Sequence, residues 1–213
     1  MKDAKDATKR PHFSMLRTFV LADLVTMVNA ASGTGAIFCC LRYAMDRDPG
    51  FVLAALVLLP VALVADVADG AVARWRRKHS PIGADLDSLA DVVSFGVAPA
   101  VLGFTLGLDG GWDAAILVYF VACGISRLAR YNVTSVSLSD ASTGKVKYYE
   151  GTPIPTSLGL VLVMGIAWGT GAVHDQLWGG AVQLGPFELH PLTLMYAVSG
   201  SAMISATLRI PKP

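Results

Sequence analysis

Four aspartates carry the strongest chemical signal in this 213-residue chain. Asp66 and Asp69 are three residues apart, and Asp87 and Asp91 four apart, so in helices each pair shares one face. Two such helices facing each other would bring four carboxylates together. Inside a membrane each ionised carboxylate costs about 2.5 to 3.5 kcal/mol on an insertion scale, and nearby basic side chains are too few to offset them. The cluster therefore demands a cation. Hard oxygen donors on rigid helices suit Mg²⁺ or Mn²⁺, and two ions could share bridging carboxylates. Asp85 falls off the Asp87 face and reads as an interfacial charge. Gly70, directly after Asp69, and Gly83, one turn before Asp87, leave room for a ligand to approach the backbone. Ala73 keeps that face shallow, and Arg74 offers a planar fork of donors for a phosphate.

The elements that must hold these residues are apolar helices. Apolar residues make up 54% of the chain and mean hydropathy is +0.54, too high for an ordinary soluble domain. A helical crossing takes about 20 predominantly apolar residues, and six stretches qualify: Thr18 to Ala44, Phe51 to Arg74, Pro81 to Leu106, Trp112 to Asn132, Pro153 to Val173 and Leu189 to Leu208. Turn residues such as Asp48-Pro49-Gly50 and Asp109-Gly110-Gly111 separate them, with no linker long enough to divide domains. The expected fold is all-α: a basic segment over residues 1–17, then one six-helix membrane domain over residues 18–213. The first span resembles a signal peptide only superficially, because its apolar run is too long and more spans follow.

Lys and Arg set the orientation. They gather before the first span (Lys2, Lys5, Lys9, Arg10, Arg17), at the second connection (Arg74, Arg76, Arg77, Lys78) and around the fourth (Arg127, Arg130, Lys145, Lys147), whereas the opposite side has Arg42 and Arg47. Both termini are thus expected in the cytoplasm, and with them the aspartates. A net charge of +1 gives no argument for nucleic acid. Cys39, Cys40 and Cys123 lack metal-ligand spacing, and His12, His79, His174 and His190 are scattered, which reads as loop or interface placement. Gly103-x3-Gly107 and Gly165-x3-Gly169 are candidate sites of close helix packing or dimer contact. Asn132-Val133-Thr134 fits a glycosylation acceptor but falls on the cytoplasmic side.

The run Asp66-x2-Asp69-Gly70-x2-Ala73-Arg74-x8-Gly83-x3-Asp87-x3-Asp91 resembles, at every fixed position, the motif of the CDP-alcohol phosphotransferases. Ala65 and Ala71 depart from the bulky apolar and basic residues common in that family, at positions the motif does not fix. Segments from Asp87 to Ala100, Ser126 to Asn132 and Tyr149 to Pro155, with Thr26-x2-Asn29-x3-Gly33, resemble the phosphatidylserine synthase branch. The resemblance implies a six-helix, usually homodimeric enzyme. It implies transfer of a phosphatidyl group from CDP-diacylglycerol to the hydroxyl of L-serine with release of CMP. Glycerol 3-phosphate or inositol remains the alternative acceptor.

On that chemistry Asp66, Asp69 and Asp87 are the expected metal ligands. Asp91 is the expected base for a hydroxyl that is a weak nucleophile at neutral pH, with a metal-ligand role open beside it. Serine is a zwitterion and needs a cation for its carboxylate. Arg127 and Arg130, three apart on one helix, are the candidates, with their separate roles open. Thr26 and Asn29 are expected to hydrogen-bond the nucleotide or diphosphate, joining Asp69, Gly70, Ala73, Arg74 and Gly83 in the donor site; hydrogen bonding between helices is the other reading of that pair. A plasma membrane of a bacterium or archaeon is the expected location, ahead of an internal eukaryotic membrane.

Overall fold

The computed structural model describes residues 21–76, 82–138, 148–205 and 209–211. The basic segment over residues 1–17, Arg77 and Lys78, and Lys145 and Lys147 lie outside the described residues, as do the side chains of Ala73, Arg74 and Arg76.

Helices dominate, as the apolar runs predict. Helix α1 (Leu21–Asp46) and α2 (Pro49–Arg76) form an antiparallel pair joined by two residues. Arg47 takes a left-handed φ of 55°, and its N–H donates to the Tyr43 carbonyl at 2.9 Å, closing α1. Asp48 then accepts the Gly50 N–H at 2.8 Å, and Pro49 opens α2 at a position where its missing N–H costs nothing.

The third apolar run is not one regular helix. It is α3 (Gly83–Asp91), a π turn (Val92–Val97) and α4 (Ala98–Thr105). The Ala98 N–H reaches the Val93 carbonyl, and Pro99 has no N–H to continue the α pattern there. The widened register lies immediately after Asp91, and such turns are common at functional sites.

Helix α5 (Gly111–Leu138) crosses back, followed by a short strand β1 (Tyr148–Glu150) and α6 (Leu158–Gly169), which a 3-10 turn at Ile154–Ser157 introduces. A hairpin of β2 (Val182–Leu184) and β3 (Phe187–Leu189) leads to α7 (Leu194–Ile204) and β4 (Arg209–Pro211). β4 pairs antiparallel with β1, Tyr149 opposite Ile210.

The buried core draws on α1, α2, the π turn and α4 to α7. Phe95, Leu102, Phe120 and Tyr196 are fully buried, and the rings of Phe120 and Tyr196 pack edge to face at 5.3 Å. The Tyr196 hydroxyl donates to the Pro99 carbonyl at 3.0 Å, and a Cβ on Gly103 would sit 2.6 Å from that hydroxyl, so the glycine makes the approach possible. Leu24, Phe38, Val64, Val118, Leu162 and Val198 instead face outward. An apolar exterior of this extent suits lipid rather than water.

Among the described residues, four helices are long and apolar enough to cross a membrane: Leu21–Asp46, Pro49–Val72, Gly83–Thr105 and Gly111–Val133. The protein is accordingly an integral membrane protein. The expected fifth and sixth spans are shorter apolar helices, Ile154–Gly169 and Pro191–Ile204. At about 1.5 Å per residue they fall short of a roughly 30 Å hydrocarbon core by themselves.

Candidate active site

Asp66 and Asp69 project from the last turns of α2, and Asp87 from the second turn of α3. Helical spacing puts each pair on one face; the packing of α2, α3 and α1 turns those faces toward each other. Ligand oxygens of Asp66, Asp69 and Asp87 all lie within 4.8 Å of one another. Asp69 and Asp91 are buried and Asp66 and Asp87 half-buried. Asp91 lies within electrostatic reach of the other three.

Helix α1 supplies their hydrogen bonds. The Thr26 hydroxyl donates to Asp69 Oδ2 at 2.6 Å, and Asn29 Nδ2 donates to Asp91 Oδ1 at 3.1 Å. Ser94, in the π turn, donates its hydroxyl to the Asn29 carbonyl at 2.9 Å. Thr26, Asn29 and Ser94 are all buried. The donors of Thr26 and Asn29 are therefore engaged with the aspartates themselves.

A cation fits this arrangement. Carboxylates about 4.8 Å apart repel by about 3 kcal/mol per pair at an effective dielectric near 20. Three such pairs outweigh the roughly 1.5 to 3 kcal/mol of a hydrogen bond to a charged group. Asp87 Oδ1 is moreover buried with no hydrogen-bond partner among the described residues. An orphaned carboxylate oxygen beside two others is a donor set of the hard, all-oxygen kind that Mg²⁺ and Mn²⁺ prefer.

Other sequence candidates fall around this core. Gly70 and Gly83 are half-buried beside Asp69 and near Asp87 in the chain. Ala73 and Arg74 lie on the last turns of α2. On α5, Arg127 is half-buried and Arg130 exposed. Asp85 is exposed, with Asn132 Nδ2 at 3.5 Å, as its position off the Asp87 face predicts.

Three residues have partners that the sequence does not announce. Asp23, buried one turn before Thr26, lies within electrostatic reach of Asp69. Ser94 fastens α1 to the π turn. Asn132, part of both the glycosylation pattern and the Ser126 to Asn132 segment, ties α5 to α3 through Ser88, Nδ2 to Oγ at 3.0 Å. A polar residue in each of several apolar runs was the available signal; which run it faced was not.

At the opposite end of the bundle His174 and His190 also find places, while His12 and His79 lie outside the described residues. His190 is buried, its Nδ1 2.6 Å from Asp113 Oδ2. It lies in the connection between β3 and α7, as the scattered spacing suggested, and acts there as a brace.

A family model described as CDP-alcohol phosphatidyltransferase matches residues 19–198. The chain is 45% identical over 204 residues to a CDP-diacylglycerol–serine O-phosphatidyltransferase of Saccharomyces cerevisiae, covering 95% of this chain and 74% of that one. It is 30% identical over 202 residues to a protein of the same name from Mycobacterium tuberculosis, covering 89% of this chain and 66% of that one. Identity with an archaetidylserine synthase of Methanothermobacter thermautotrophicus is 39% over 140 residues, 64% of this chain and 54% of that one. Relatives from a yeast, a bacterium and an archaeon give no support to the expectation of a bacterial or archaeal plasma membrane.

Proposed function

The chain belongs to the CDP-alcohol phosphatidyltransferase family, and from that premise we propose that it transfers the phosphatidyl group of CDP-diacylglycerol to the hydroxyl of L-serine and releases CMP. The observation that carries the reading is the convergence of Asp66, Asp69 and Asp87 within 4.8 Å, with Asp91 beside them on the next turn of α3. The names of the yeast and mycobacterial relatives supply the acceptor.

The serine oxygen attacks the phosphorus that bears diacylglycerol, the bond from that phosphorus to the CMP oxygen breaks, and the hydroxyl proton passes to Asp91. Asp66, Asp69 and Asp87 would hold Mg²⁺ or Mn²⁺, taken as two ions, which would supply charge neutralisation for the diphosphate and the departing CMP. Asp91 is engaged by Asn29 and stands outside the compact triad, which supports its role as base. Gly70, Ala73 and Gly83 leave the donor room along the helix backbones, and Arg74 meets its phosphates. Thr26 contributes to donor binding through Asp69, which it holds, and Asn29 acts on the site through Asp91. Arg127 and Arg130 share the serine carboxylate and the donor's phosphates between them.

Six membrane crossings, with the two shorter apolar helices completing the domain, put both termini and the site at the cytoplasmic face. The basic connections favour that orientation. The pairing of β4 with β1 supports a chain end on the same side as the α5–α6 connection. Two copies pair through outward-facing apolar helix surfaces.

The test is CMP release by purified protein given CDP-diacylglycerol with L-serine, glycerol 3-phosphate or myo-inositol, each with Mg²⁺, Mn²⁺ or chelator. Metal-dependent release with serine alone is expected. Release with a different alcohol would reassign the acceptor, and no release with any would overturn the enzymatic reading.

A further inference from the structure

We propose that Asn29 is a positioning residue for Asp91, dictating which carboxylate oxygen stays available for the incoming hydroxyl. The inference rests on the reading of Asp91 as base. Asn29 is fully buried, and its Nδ2 donates to Oδ1 of Asp91, which leaves Oδ2 for the reaction.

Stability alone does not explain an asparagine here. Its own Oδ1 is buried with no hydrogen-bond partner among the described residues. A buried amide with an unmet acceptor offsets part of what its one hydrogen bond contributes to stability. What the amide does supply is a short, two-torsion tether to Asp91.

The tether is anchored at both ends by one crossing. Ser94, three residues after Asp91, donates to the Asn29 carbonyl at 2.9 Å, so the backbone that carries the amide is fixed against the segment that carries the carboxylate. One turn further along α1, a Cβ on Gly33 would lie 2.7 Å from Ser94 Cα, a distance real Cβ atoms do not tolerate. Glycine there lets α1 meet the π turn directly, backbone against backbone. The π turn starts at the residue after Asp91, so the crossing sets the direction of the Asp91 side chain as well.

The experiment measures kcat, KM for serine, metal-dependent affinity for CDP-diacylglycerol and Tm for Asn29→Ala, Asn29→Leu and Ser94→Ala, with Asp91→Asn alongside. A misaimed base costs about 10- to 100-fold in kcat. Expected for Asn29→Leu and Asn29→Ala is that loss, with serine KM and donor affinity within about twofold of wild type. Ser94→Ala should show the same pattern more weakly, and it carries the test if Asn29→Leu fails to fold. Loss of donor affinity in step with kcat/KM would overturn the inference and make Asn29 a donor contact. A lowered Tm with unchanged kcat would overturn it in favour of a structural role. Should Asp91→Asn still turn over, the base itself is misassigned and the proposal falls with it; an inactive Asp91→Asn beside a fully active Asn29→Ala removes the positioning role alone.

Discussion

Asp113 and Asp87 are both carboxylates in the apolar body of this protein, and their surroundings are opposite. Asp113, at the start of α5, is completely buried and accepts from the Gly110 N–H, the His190 N–H, His190 Nδ1 and the Thr193 hydroxyl. It holds the α4–α5 turn, the end of the β2–β3 hairpin and the start of α7 together. Asp87 shares a few ångströms with two further carboxylates and keeps a buried oxygen without a hydrogen-bond partner among the described residues. A carboxylate whose lone pairs are all met by protein is finished as a structural part. One left short beside others of its own charge is built to receive a cation.

The largest effect should come from Asp91→Asn, which is expected to cut turnover by about 10²- to 10⁴-fold while leaving metal-dependent binding of CDP-diacylglycerol largely intact. Single-turnover CMP release and donor binding read the two separately. Asp69→Asn should lose the donor as well. Equal losses of binding in both would make Asp91 a metal ligand and erase its distinction from the triad.

At the other end, Asp113→Ala should lower stability by about 3 kcal/mol, because it strands several buried donors at once. Thermal unfolding in detergent measures this, and activity per folded molecule should hold. If turnover falls and Tm does not, Asp113 is no mere brace and the contrast breaks.

Smaller again is the expected effect of Arg130→Ala, a rise of about tenfold in KM for serine before any loss of affinity for CDP-diacylglycerol. An unchanged serine dependence would remove Arg130 from the acceptor site. Mg²⁺ or Mn²⁺ should raise the Tm of the wild type by saturable binding and leave that of Asp87→Asn unmoved. Equal shifts in both would detach the metal from the triad.

The smallest effect concerns the loop end alone. Arg47 lies against His174 Nε2 at 2.5 Å, and burial together with that guanidinium lowers the His174 pKa below its ordinary 6.5. The unfolded chain then binds a proton that the native ring refuses, so the contribution is complete above about pH 6.5 and is lost as pH falls below it. A plot of Tm against pH should flatten slightly in that window for His174→Asn. An unaltered profile would show that the contact carries no linkage.

Four of the six expected spans and the pairing of aspartates were legible because both are local. Asp66 and Asp69, or Asp87 and Asp91, share a face by helical periodicity whatever the rest of the chain does, and a long apolar run has few alternatives to a membrane helix. Asp85 was separated from its neighbours on the same ground. Residues at fixed motif spacing also carried the family resemblance, which the match over residues 19–198 establishes.

Tertiary structure decided what the aspartates touch. Thr26 meets Asp69 across 43 residues and Asn29 meets Asp91 across 62, and no periodicity in α1 announces either partner. The π turn after Asp91 was hidden inside an apolar run whose composition suits a regular helix equally well. His190 lies in a connection, as its spacing suggested, but nothing in the chain announced its partner Asp113, 77 residues away. A side chain's spacing along its own helix is fixed by the backbone's 3.6-residue repeat, but its partner depends on where two helices cross. That crossing is set by packing among residues distant in the chain, here by the contact of Gly33 with Ser94.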